Sequence, residues 1–100
     1  MTPGGFKVDC PGAVLRSIEI LQGKAEKAGL GPATLAALKT ISQRLHQDPR
    51  EFGEPQYHLH FLKLQMRVAC VEPLSVLFAV HDEEPFVHVK SITALSRFNI

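Results

Sequence analysis

The sequence predicts an α+β domain: a short N-terminal strand and a helical hairpin packed on an antiparallel β-meander. Two patterns support this. In the first half, apolar residues recur at steps of three and four, the period of an amphipathic helix. After Pro49 they alternate with polar residues, the period of a half-buried strand, and Glu72-Pro73 and Asp82-Glu83-Glu84-Pro85 punctuate the alternation as turns.

The elements follow in order. Phe6-Lys7-Val8-Asp9-Cys10 alternates and suits a short strand, which Pro11-Gly12 breaks. Over residues 13–28, Val14, Ile18, Leu21, Ala25 and Ala28 fall on one helical stripe, and Gly29 is placed to end the helix. A second helix is expected over residues 32–47, with Leu35, Leu38, Ile41 and Leu45 inward. Asp48-Pro49 stops it, because the residue before proline is pushed out of the α region. So short a connection predicts an antiparallel helical hairpin.

Residues 50–56 read as an irregular connection. Residues 57–61 alternate in the opposite phase to residues 62–68, which predicts a break near Phe61-Leu62. In the 62–68 segment Leu62, Leu64, Met66 and Val68 share one face, and Lys63, Gln65 and Arg67 the other. Residues 74–81 are almost wholly apolar and should form the central strand. Residues 86–90 complete the meander, with Val87 and Val89 on one face.

Composition fits one soluble domain over residues 1–100: 45% hydrophobic, 21% charged, net charge +1. No apolar run approaches the roughly 18–20 residues that span a bilayer, and residues 1–5 lack the pattern of a signal peptide. Both point to a cytoplasmic protein with no membrane partner. Cys10 and Cys70 are then expected to be reduced. The pI near 7.9 is below that of a dedicated nucleic-acid binder, yet residues 57–70 and 85–100 contain Lys63, Arg67, Lys90 and Arg97 and no acid. As neighbouring strands they would make a local basic face.

Leu45-His46-Gln47-Asp48-Pro49 with Phe52-Gly53-Glu54-Pro55 resembles the helix end and loop before the sheet in the RelE/ParE superfamily of type II toxin–antitoxin toxins. Val76-Leu77-Phe78-Ala79-Val80-His81-Asp82-Glu83-Glu84 resembles that family's third strand and acidic turn, and Phe86-Val87-His88-Val89-Lys90 its fourth strand. The resemblance extends over about residues 6–90. It implies an antitoxin protein as partner and, for some members, metal-free cleavage of ribosome-bound mRNA.

Such cleavage needs a base, an acid and cations for the crowded phosphate. The resemblance assigns a basic residue near the end of the second strand to Arg67. It departs from the family at Ser75, where an arginine is usual, and at Lys90-Ser91-Ile92-Thr93, where a His-Arg pair often stands. Tyr57, the only tyrosine, precedes the sheet rather than following it. A ribonuclease site would therefore be assembled from Lys63, Arg67, His88 and Lys90. The plain alternative is a solvated strand face, since alternating charge is how any half-exposed strand looks.

His58 and His60 are two apart and share a strand face. A metal site there would need a third ligand from His81, His88 or an acid, and no cluster has recognised ligand spacing, so neither metal nor cofactor is expected. Nucleotide-loop and serine-elbow patterns are absent from the sequence. Two further readings stand beside the ribonuclease. One is a non-catalytic interaction module on the same scaffold, using Leu77 or Phe86 on the outer sheet face. The other is a homodimer through a sheet edge, with Phe98-Asn99-Ile100 or the first strand covering an edge.

Overall fold

The computed structural model describes residues 5–98. Strand β1 (Lys7–Asp9) leads into helices α1 (Gly12–Lys27) and α2 (Gly31–Gln47). A 3₁₀ turn at Pro49–Glu51 follows, and then strands β2 (Glu54–Leu59), β3 (Leu64–Val71), β4 (Leu74–His81) and β5 (Phe86–Ala94). The architecture is the predicted α+β one, two helices on a sheet.

The sheet has five strands in the order β1-β5-β4-β3-β2, so the apolar β4 is central as its composition required. Strands β2 to β5 form an antiparallel meander, while β1 joins the outer edge of β5 in parallel and makes the sheet mixed. The break expected near Phe61-Leu62 is a 3₁₀ turn, His60–Leu62, followed by Lys63 at φ 54°. Residues 54–59 therefore form a fourth meander strand, which takes in residues 54–56 of the expected irregular connection and residues 57–59 of the alternating segment after it. β5 also runs four residues further than its short alternating segment suggested.

Helix α1 ends as its sequence predicts. Gly29 adopts φ 78°, and the Leu30 amide donates to the Ala25 carbonyl at 2.7 Å while the Gly29 amide donates to Glu26, a Schellman arrangement. The helices pack on one face of the sheet. Val14, Ala37, Ile41 and Leu45 meet Val76, Phe78, Val80, Val87 and Val89 in one buried cluster. Phe78 is fully buried and stacks on Phe52 at 5.7 Å; its burial contributes on the order of 1.5–3 kcal/mol. In α2 the buried stripe is Thr34, Ala37, Ile41 and Leu45, whereas Leu35 is 46% exposed. Small residues at 34 and 37 let the helix approach closely, which turns Leu35 outward.

The register decides which way each strand faces. Arg67 pairs with Phe78 and Gln65 with Val80, so both polar residues share the helix-side face. Met66 pairs with Ala79, Ala79 with His88, and His88 with Asp9, which defines a row on the opposite, open face. The apolar set Leu64, Met66 and Val68 thus points away from the helices. Two extra residues perturb the ladder. Gln56 lies between the Pro55–Arg67 and Tyr57–Met66 pairs, and Lys90 between the Phe78–Val89 and Leu77–Ser91 pairs.

No helix among the described residues is long and apolar enough to cross a membrane. Both cysteines are free thiols. Phe98 belongs to a 3₁₀ turn after β5, and the expected edge cover by Asn99-Ile100 lies outside the described residues.

Candidate functional site

The four residues assembled from sequence do not share one surface. Arg67 sits on the helix-side face, where its Nε donates to the Phe52 carbonyl and its terminal nitrogen to the Gly53 carbonyl, both at 2.9 Å. These bonds tie the connection before β2 to β3. Lys63 lies before β3 in the left-handed region, at the sheet end beside the β4–β5 turn, and its Nζ donates to Glu83 Oε1 at 3.1 Å. A one-residue departure from strand geometry at Lys63 removes it from the side-chain alternation that placed it beside Arg67.

His88 lies on the open face, and Lys90 stands two residues further along β5, at its bulge. His88 Nδ1 is 3.4 Å from Asp9 Oδ2, and its ring stacks with Phe86 at 6.3 Å. Lys90 is exposed at the β5 bulge and has no ion pair among the described residues. Lys7 extends over the Phe86 ring at 5.9 Å. Lys7 and His88 therefore share the β1–β5 side of the open face with Asp9, and the exposed Lys90 lies further along β5.

The middle of that face is apolar, with Glu54 beside Val68 and Ser75, Ser91 and Thr93 toward its far end. Leu64, Val68 and Leu77 are half-buried around Met66, which is 2% exposed. Tyr57, paired with Met66, is 56% exposed, and Phe86 is 38% exposed. Leu77 and Phe86 stand on this outer face as the interaction reading requires.

A second cluster lies where the β2–β3 connection meets the β4–β5 turn. His58 Nε2 donates to Asp82 Oδ2 at 2.7 Å, and the Nδ1 atoms of His58 and His60 are 3.0 Å apart, one donating to the other. The His81 Nδ1 atom accepts from the Glu83 and Glu84 amides, which closes the turn. Arg50 clamps the same turn by donating to the His81 and Glu84 carbonyls, with its guanidinium over the Phe6 ring at 4.8 Å. A cleft of about 190 Å³ opens here, lined by Arg50, Gln65, Arg67, Val80, His81 and Asp82. The two-residue spacing of His58 and His60 was visible in the sequence. Their link to Asp82, 24 residues from His58, was not, because it depends on β4 returning alongside β3.

Cys10, half-buried beside the helices, has its thiol pushed above the ordinary value, first by burial and then by the Asp9 carboxylate. It is a core thiol and is not poised as a nucleophile. No protein-family model matches the chain, and no curated protein shows significant sequence similarity to it.

Proposed function

We propose that this protein is a toxin-like binding module of the cytoplasm, whose open sheet face receives an apolar, acid-bearing segment of an antitoxin-type partner. The observation that carries this reading is the outer face itself. Leu64, Val68, Leu77 and Tyr57 make an apolar surface over the buried Met66, beside Lys7, His88 and Lys90. A partner segment would bury its apolar residues on the first group and place its carboxylates against the second. The predicted catalytic set weighs the other way, because Arg67 donates to two backbone carbonyls on the far face.

Peptides displayed on phage and selected on the purified chain test this. The expected winners combine apolar and acidic residues, and they lose binding to Leu77→Glu while keeping it for Arg44→Gln on helix α2. Selection of peptides whose binding ignores Leu77→Glu would refute the docking face.

Metal-free mRNA cleavage at the ribosome is the second reading, favoured by His88 and the exposed Lys90 lying two residues apart on β5. Primer extension on translated mRNA should then show cuts that vanish in His88→Ala/Lys90→Ala. The Lys63→Ala/Arg67→Ala variant separates the four-residue site expected from sequence from this smaller one. An absence of cuts with the wild type would leave the binding module alone.

A further inference from the structure

We propose that His58 and His60 form a chelating pair for a divalent late first-row transition-metal ion, with Asp82 holding His58 in the ligating tautomer.

The argument starts from the back of the pair. Asp82 accepts a hydrogen bond from His58 Nε2 at 2.7 Å, with its second oxygen at 3.0 Å, so the proton of His58 belongs on Nε2. Its Nδ1 is then a lone pair. That lone pair faces His60 Nδ1 at 3.0 Å, with the two rings in an edge arrangement and centroids 4.4 Å apart. Two imidazole lone pairs at this distance repel unless something positive lies between them. In the metal-free protein a proton on His60 Nδ1 serves; when a cation takes its place that proton is exchanged through water to His60 Nε2, so both rings stay neutral and each Nδ1 donates an electron pair to the metal.

The distance suits a metal. Imidazole nitrogens bind at about 2.0–2.1 Å, so two of them 3.0 Å apart subtend an angle of roughly 94° at the ion. Both nitrogens can reach one ion once the rings turn their lone pairs off the N···N line, and an imidazole pair suits the late first-row ions Cu(II), Ni(II) and Zn(II). A carboxylate behind a ligating histidine is the usual outer partner of such sites, fixing the ring and raising its basicity.

Among the described residues no three ligating side chains converge, so the protein supplies two nitrogens and water completes the shell. His81 is unsuited as a third ligand because its Nδ1 accepts from two turn amides. The site is accessible, since His60 is exposed and the neighbouring Phe61 is 103% exposed.

Titration of the full chain with Cu(II), followed by calorimetry and electron paramagnetic resonance, tests the proposal. The wild type should bind one ion with superhyperfine splitting from two nitrogens. His60→Gln should remove that event, and Asp82→Asn should keep both nitrogens while weakening affinity roughly 10–100-fold. His46→Gln, at an exposed helical histidine bonded to the Ser42 carbonyl, should leave it unchanged. In the unaltered protein, amide resonances of residues 57–64 and 81–84 should broaden first, independently of any variant's folding. Equal affinity in His60→Gln, or broadening that begins elsewhere, would overturn the assignment.

Discussion

Replacing Gly53 by alanine tests how the connection before β2 is held. Gly53 adopts φ 73°, a conformation that costs an L-residue roughly 1–2 kcal/mol. A Cβ at this position would collide with the Val68 carbonyl oxygen and lie 2.7 Å from Ala69 Cβ and 2.8 Å from the Val68 carbonyl carbon. These are β3 atoms that cannot rotate aside, so β2 must move away from β3. Forced shifts of this kind cost about 1–3 kcal/mol. The two contributions give about 2–5 kcal/mol, a large part of the roughly 5–15 kcal/mol that holds a typical domain together. For a chain of this size the melting temperature should fall by at least about 10 °C. Gly29→Ala is the internal control, because Gly29 has φ 78° but a methyl group there would meet nothing within 4 Å, leaving only the backbone cost. Urea denaturation of both variants separates backbone strain from collision. Equal losses in the two would refute the claim that Gly53 is required by the close approach of β3.

Arg67→Met should cost about 1–3 kcal/mol in the same urea assay, because two carbonyls lose their donor; an unchanged midpoint would make Arg67 a free surface cation. Thr34→Val should leave stability equal or raise it by about 1 kcal/mol, since the buried Thr34 hydroxyl has no partner among the described residues, and a clear loss would show that it has one. Lys63→Gly should be neutral or stabilising by up to about 1 kcal/mol, relief of the left-handed backbone outweighing an exposed ion pair with Glu83, while Lys63→Val should destabilise; the reverse order would contradict the backbone assignment. Cys10 should react with iodoacetamide more slowly than the exposed Cys70 at about pH 8. Its raised folded-state value also means that the unfolded chain loses the thiol proton first, so this contribution to stability is present below the ordinary thiol range and lost as pH rises through the folded value; a wild-type stability that falls no faster than that of Cys10→Ala on that alkaline limb would contradict it.

The local grammar of the chain was legible because each signal has a cause that acts over a few residues. Gly29 closes α1 by a left-handed turn, Asp48-Pro49 stops α2, and the change of phase at Phe61-Leu62 becomes a 3₁₀ turn. The centrality of β4 was legible too, because a strand apolar on both faces is hidden only when both neighbours and a helix layer cover it. Two features of the fold depend on longer range. The parallel seat of β1 beside β5 brings together residues nearly eighty positions apart, and three alternating residues cannot name their partner. Leu35 has the right helical spacing to be inward, but the closeness set by Thr34 and Ala37 rotates the helix so that the smaller side chains take the buried stripe.

The candidate site was less legible because facing is a property of register, and a single residue reverses it. Alternation correctly grouped Leu64, Met66 and Val68 against Gln65 and Arg67, yet it could not say which group faces the helices. The intuitive choice puts the apolar group inward. Pairing of Arg67 with Phe78 puts it outward instead, because β4 fills the core from its own even-numbered residues and leaves Ala79 and Leu77 to the open side. The Lys90 bulge and the left-handed Lys63 then break the two-residue count at both ends of the proposed basic patch. The consequence for function is direct. A surface read as cationic with an apolar back is an apolar surface with cations along one margin, the composition of a docking face with a charged rim. The histidine pair and its carboxylate lie at one end of the sheet, from the end of β2 to the β4–β5 turn, so the two proposals, metal binding and partner docking, are tested by separate mutations.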